Sequence, residues 1–140
     1  MKKFILTDEK IEMFGVTLHR IKAVRSFGNV KEGDLGGFVE KEENISEDFE
    51  AWVWGDAKVW GNAKVSGNAD YIVFKNWWSS GRYFTWTRSN NMWSVGCFYG
   101  TSEELIKKAY ADSEKSGREY ERLVKFVQSI LEDEKNGKSI

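Results

Sequence analysis

Residues 51–68 read AWVWGD, AKVWGN, AKVSGN: three six-residue units in strict register. Ala51, Ala57 and Ala63 open the units, and Val53, Val59 and Val65 follow two places later. Gly55, Gly61 and Gly67 with Asp56, Asn62 and Asn68 close them. Alternate residues of a strand share a face, so Ala and Val point the same way. Gly-Asn and Gly-Asp tolerate positive φ and supply corners. A glycine at every sixth position argues against a helix. Short strands joined by sharp corners are therefore expected, with Ala and Val inward and Trp52, Trp54 and Trp60 outward, packed against other elements.

The preceding 18 residues, Gly33–Glu50, match the length of one such coil, with Leu35, Val39 and Ile45 as inward candidates. Before them KFILT, KIEMF and TLHRIKAV read as strands separated by Asp8-Glu9 and Gly15-Val16. After the hexads, YIVFKNWW, RYFTWTR and MWSVGCFYG are three β-rich runs with two short polar breaks, an antiparallel meander. From Thr101 the pattern is helical. Thr101-Ser-Glu-Glu104 is a capping box, and Leu105, Ile106, Ala109 and Tyr110 form a first apolar stripe. Ser116-Gly117 is the expected break before a second stripe from Tyr120 to Leu131.

The fold expected is β-rich α+β in a single domain over 1–140. N-terminal strands fill 1–32, leader and hexapeptide coil 33–70, the aromatic meander 71–100 and helices 101–140. The A-x-V-x-G-[DN] units resemble the hexapeptide repeat of left-handed β-helix proteins. With GDLGGFVEKEENIS (33–46) and MWSVGCFYGTSEELIKKAY, they also resemble small proteins encoded by phages and prophages. That resemblance implies a minimal left-handed β-helix coil and a setting in the cytoplasm of a bacterial host. One coil leaves apolar ends, because stacked repeats bury their faces on their neighbours, so capping or homo-oligomerisation is expected.

Composition narrows the function classes. The 140 residues carry 21 basic and 22 acidic side chains, one histidine, one cysteine and no proline. A single Cys97 and a single His19 exclude a disulfide framework and a zinc site built from those residue types. No secretory leader or membrane span is expected, since no apolar run approaches the length of a spanning helix. The lone Cys97 suits a reducing compartment. The near-zero net charge conceals segregation: Gly33–Asp56 holds eight acidic residues and one basic, Ala57–Gly100 one acidic and five basic. The acidic leader reads as a solvated loop, with weak cation binding as the minor alternative.

Catalysis is hard to assemble. Hexapeptide acyltransferases, as that resemblance would imply, use a histidine near the coil, and the repeat has none; His19 is the sole candidate. Cys97 reads as a small buried hydrophobe. No cofactor is expected. Tyr71–Gly100 is the informative segment. It holds ten of the 21 aromatics, with Lys75, Arg82 and Arg88 and no acid. Rings stack on bases and arginines fork onto phosphates. On one strand face, Arg82, Trp86 and Arg88 would set a ring between two guanidiniums, about 7 Å from each. The expected function is therefore a non-enzymatic binder of a small anionic, nucleotide-like ligand. Trp77, Trp86 and Trp93 would stack on the base, and Lys75, Arg82 and Arg88 would meet phosphates. In a phage setting this extends to sequestering an immune signal, a cyclic oligonucleotide or an ADP-ribose derivative. The alternatives are a scaffold that binds a host or phage protein, and a hexapeptide acyltransferase dependent on His19. Double-stranded nucleic acid is disfavoured by the acidic segment.

Overall fold

A computed structural model describes residues 2–13, 15–48, 50–96 and 98–136. The fold is mixed α+β and β-rich: two four-stranded sheets and two C-terminal helices. The first sheet has strand order β1-β2-β3-β4, the second β5-β6-β7-β8.

The N-terminal segment forms two strands, not three. β1 (Phe4–Met13) runs through Asp8-Glu9, where its pairing with β2 (Val16–Ala23) slips register between Leu6 and Lys10. The polar pair thus marks a bulge rather than a chain reversal, since a bulge absorbs an extra residue while pairing continues. β2 then pairs antiparallel with β3 (Leu35–Val39), which pairs parallel with β4 (Lys58–Val59).

That parallel pairing lays the leader on the hexads. Phe38 pairs with Lys58, Val39 with Val59 and Ile45 with Val65, a constant offset of 20 residues rather than the expected 18. Ala51, Val53, Ala57, Val59, Ala63 and Val65 are all buried, as the alternation requires. Gly55 and Gly61 turn the corners at φ 60° and 65°, whereas Gly67 is extended and leads into a 3-10 turn. Of the leader's inward candidates, Val39 and Ile45 are buried but Leu35 is 57% exposed.

Gly36 and Gly37 take the place expected of a leucine. A Cβ on Gly36 would lie 2.6 Å from the Val53 carbonyl oxygen, and one on Gly37 2.5 Å from that of Ala57. The backbones touch here, and Gly37 N–H donates to Val53 O and Phe38 N–H to Ala57 O. Asn44, fully buried, closes the leader's corner. Its Oδ1 accepts from the Glu40 and Lys41 amides, and its Nδ2 donates to Gly61 O and Ala63 O. Arg20 binds the outside of the same junction through Glu9, Gly36 O and Asp56, with its guanidinium 4.3 Å above the Phe38 ring.

The meander has four strands. β5 (Tyr71–Lys75), β6 (Tyr83–Thr87), β7 (Met92–Val95) and β8 (Phe98–Gly100) pair antiparallel in order, and Gly96, at φ 54°, lies between the last two. α1 (Ser102–Asp112) starts on the expected Thr101–Glu104 capping box. The helical break falls at Ser113, whose hydroxyl caps α2 (Glu114–Lys135) on the Ser116 amide. Gly117 instead sits inside α2, where a Cβ would lie 2.2 Å from the Tyr110 ring; it sets how closely the helices cross.

Gly37→Ala is expected to lower unfolding free energy by about 1–3 kcal/mol, because neither backbone can withdraw from the new methyl. Gly67→Ala, with nothing within 4 Å and extended φ, should stay within about 0.5 kcal/mol of wild type. Asn44→Ala removes four hydrogen bonds, leaves the buried Ala63 carbonyl without that donor, and should cost about 1–3 kcal/mol. Urea titrations of the three variants check these expectations.

Candidate functional site

One face of the meander is covered by the helices; the other meets the hexads at Tyr71, Thr85 and Ser94 but is open at Val73, Lys75 and Tyr83. Phe84, Trp86 and Trp93 pack on Leu105, Ala109, Tyr120, Val124 and Val127 of the helices. The other face carries Tyr71, Thr85, Ser89 and Ser94 to the edge of the hexads. There the Trp54 amide donates to Tyr71 Oη, the Lys58 amide to Thr85 Oγ1, the Lys64 amide to Ser89 Oγ and Trp60 Nε1 to Ser94 Oγ. Trp60 also packs on Tyr99, ring centroids 4.0 Å apart. Hydroxyls of the meander thus satisfy backbone donors that a further coil would otherwise take. β2 pairs with the opposite edge of β3, so the leader and hexads have a neighbouring element on both sides within one chain.

The expected triad of Arg82, Trp86 and Arg88 on an open face is therefore corrected. Trp86 and Trp93 are fully buried, with their indole N–H groups given to Asn91 Oδ1 (2.8 Å) and Ser102 Oγ (2.9 Å). Neither offers a ring face to a base. Arg88 pairs with Glu134 of α2 and donates to Ala69 O. Lys75 is exposed at the end of β5, opposite Tyr83. Trp77 is 63% exposed, and the Lys115 ammonium lies 5.2 Å from its ring centroid. The six predicted site residues are not brought together.

One of them, Arg82, lines a cleft of about 310 Å³ between the open end of the meander and α1. That is within the range of small-ligand pockets, near its lower bound. Phe84, Val95, Phe98, Leu105 and Ala109 give it apolar walls. Buried Asn76 and Tyr120 form its floor, and exposed Ser80, Arg82, Tyr83, Lys108 and Asp112 its rim. A Cβ on Gly96 would lie 3.4 Å from an Arg82 guanidinium nitrogen, so Arg82 reaches across the β7–β8 turn. Arg82 makes no ion pair among the described residues; Lys108 pairs with Asp112 at 3.2 Å.

Lys108, Asn76 and Tyr120 were not legible as site residues. Leu105, Lys108, Ala109 and Asp112 recur at i, i+3, i+4 and i+7, so a charged pair on the flank of an apolar stripe was the available signal. His19 lies on β2, its Nδ1 3.0 Å from Thr7 O, and does not line the cleft. Cys97 lies outside the described residues. No cluster of three His, Cys, Asp or Glu side chains able to hold a metal occurs among the described residues, the acidic leader included. There, Glu42 pairs with Lys2, Glu40 accepts from the Gly61 amide and Glu47 from the Lys3 amide. No described helix is long and apolar enough to cross a membrane.

No protein-family model matches the chain, and no curated protein matches it.

Burial pushes the phenols of Tyr71, Tyr99 and Tyr120 above their ordinary value of 10.0, against hydrogen bonds from Trp54, Asn90 and Asn76. Their neutral forms are favoured by folding, so their contribution is complete below pH 10.0 and is lost as pH rises above it. Lys3 and Lys58, held below 10.5 by burial, act oppositely, and their contribution has stopped growing above pH 10.5. The urea midpoint is therefore expected to fall from pH 10.5 upward. The fall should be shallower in Tyr99→Phe; an identical pH profile in that variant would contradict the assignment.

Proposed function

We propose that this chain is a non-enzymatic binding protein that captures a small anionic, nucleotide-like ligand in the cleft between the meander and α1. The observation that carries the reading is the Arg82 guanidinium, without a carboxylate partner among the described residues, on the rim of an apolar-walled cavity of about 310 Å³ that also carries the Lys108–Asp112 pair. A guanidinium donates two parallel hydrogen bonds to a phosphate, and an ammonium adds a mobile point charge. Phe98 and Tyr83, half-buried and exposed, offer aromatic surface for a planar ring. The volume suits one nucleoside monophosphate better than a cyclic oligonucleotide held whole. A role in sequestering a nucleotide signal then concerns small ligands, or one residue of a larger one.

The architecture supports a finer reading of the coil as well. Two segments stacked in parallel at a constant offset, with Ala and Val inward and positive-φ glycines at two corners, fit a two-turn left-handed β-helix. In this reading the coil is a pedestal: its hydroxyl-capped edge holds the meander, and the meander holds Arg82. A bacterial host cytoplasm is the setting we propose with it.

Isothermal titration with uridine monophosphate tests the function. Wild type is expected to bind, and Arg82→Ala combined with Lys108→Ala to weaken binding at least about tenfold, the loss of one charge-assisted contact or more. Because both side chains are exposed, the melting temperature should change little. Arg88→Ala should leave affinity unchanged. Undiminished binding in the double variant, or no binding of any nucleoside monophosphate by wild type, would overturn the proposal.

A further inference from the structure

The floor of the cleft carries a hydrogen-bond pattern that selects among anionic ligands. The Ser79 amide donates to Asn76 Oδ1 at 2.9 Å, which fixes the orientation of the Asn76 side-chain amide. Its Nδ2 therefore faces Tyr120 and donates to Tyr120 Oη at 3.3 Å. Tyr120 acts here as acceptor, so its own O–H proton is left over; no acceptor takes it among the described residues. A second N–H on Asn76 Nδ2 is likewise unclaimed. Both residues are nearly buried, 6% and 8% exposed, and both line the cleft.

Tyr120 cannot easily turn to find another partner. Trp78 packs edge-on against its ring at 4.9 Å between centroids, Phe84 lies at 5.2 Å, and Trp78 is itself tied to Ser116 Oγ through Nε1. This packing fixes the ring on the lining of a cleft that also carries Arg82, Lys108 and Asp112, and the hydroxyl proton, which turns about the C–O bond, is available to an acceptor there. Buried donors left unpaired are costly, and a ligand that satisfies them is favoured over one that cannot.

We infer that the occupant of the cleft presents a hydrogen-bond acceptor, a ring carbonyl, to Tyr120 and Asn76 while its anionic group sits at Arg82 and Lys108. The inference rests on the cleft being the ligand site. It names the class: nucleotides with an oxo-substituted base, as in uridine or inosine, over those with an amino group at that position, as in cytidine or adenosine. An amino group would meet the second Asn76 N–H donor against donor and leave the Tyr120 proton without an acceptor.

Uridine monophosphate and cytidine monophosphate differ at this edge of the base and share sugar and phosphate. Titration of the wild-type protein is expected to show at least about tenfold tighter binding of the uridine compound. Tyr120→Phe keeps the ring packing and removes the donor; it should bring the ratio close to one, chiefly by weakening uridine monophosphate. 4-Thiouridine monophosphate, whose sulfur is a weak acceptor, gives the same readout without a variant and should bind the wild type more like the cytidine compound. Equal affinity for the two nucleotides, preference for cytidine monophosphate, or an unchanged ratio in Tyr120→Phe would overturn the inference while leaving an anion-binding cleft in place. Binding of neither nucleotide overturns it as well. Arg82- and Lys108-dependent binding of inorganic pyrophosphate then decides separately whether the cleft takes anions.

Discussion

The contact on which the rest depends is between two glycines and two carbonyl oxygens. Gly36 and Gly37 place their Cα atoms where any Cβ would meet Val53 O or Ala57 O at 2.5–2.6 Å. Only at that separation can β3 lie parallel on the hexads while pairing antiparallel with β2 on its other edge. The hairpin of β1 and β2 and the coil then share one sheet and one core, from Phe4 and Ile21 through Val39 to Val53, Val59 and Val65. Asn44 performs the same service at the next corner with four hydrogen bonds from one side chain.

The second sheet follows from how that coil ends. A parallel edge presents unpaired N–H groups, which either recruit another strand or must be satisfied by something else. Here Tyr71, Thr85 and Ser89 present hydroxyl oxygens to them. The meander is consequently pinned on one face by hydrogen bonds to the coil and on the other by apolar packing on α1 and α2. Such a layer is rigid, and its side chains are spent on structure. Its open end, where Arg82 and Tyr83 lie near the β7–β8 turn, borders the cleft proposed as the ligand site.

Burial explains both the strength and the polarity of that end. Tyr120 and Asn76 are desolvated, held by neighbours on three elements, and directed at one another. A low-dielectric floor strengthens whatever hydrogen bond a ligand completes there. The exposed guanidinium and ammonium at the rim are screened by water and contribute attraction more than selectivity.

Local rules determined much of this protein. The hexad period fixed which side chains point inward, because a strand alternates faces whatever surrounds it, and all six Ala and Val positions are buried. The Thr101–Glu104 capping box fixed where α1 starts, because the partners are three residues apart. What depended on partners distant in sequence was not legible. Alternation placed Phe84 and Trp86 on one face but could not say that helices 20–40 residues onward would cover it. Leu35 looked inward until the backbone contact at Gly36 and Gly37 claimed that surface. The close helix crossing at Gly117 hinges on Tyr110 finding a space that only a missing Cβ leaves. The cleft was hidden for the same reason. Asn76 and Arg82 come from the β5–β6 connection, Lys108 from α1 and Tyr120 from α2, and no local pattern ties these three segments together. Short-range sterics and periodicity are written in the chain, whereas the choice of which faces are buried, and hence which side chains remain to meet a ligand, is made only when the layers pack.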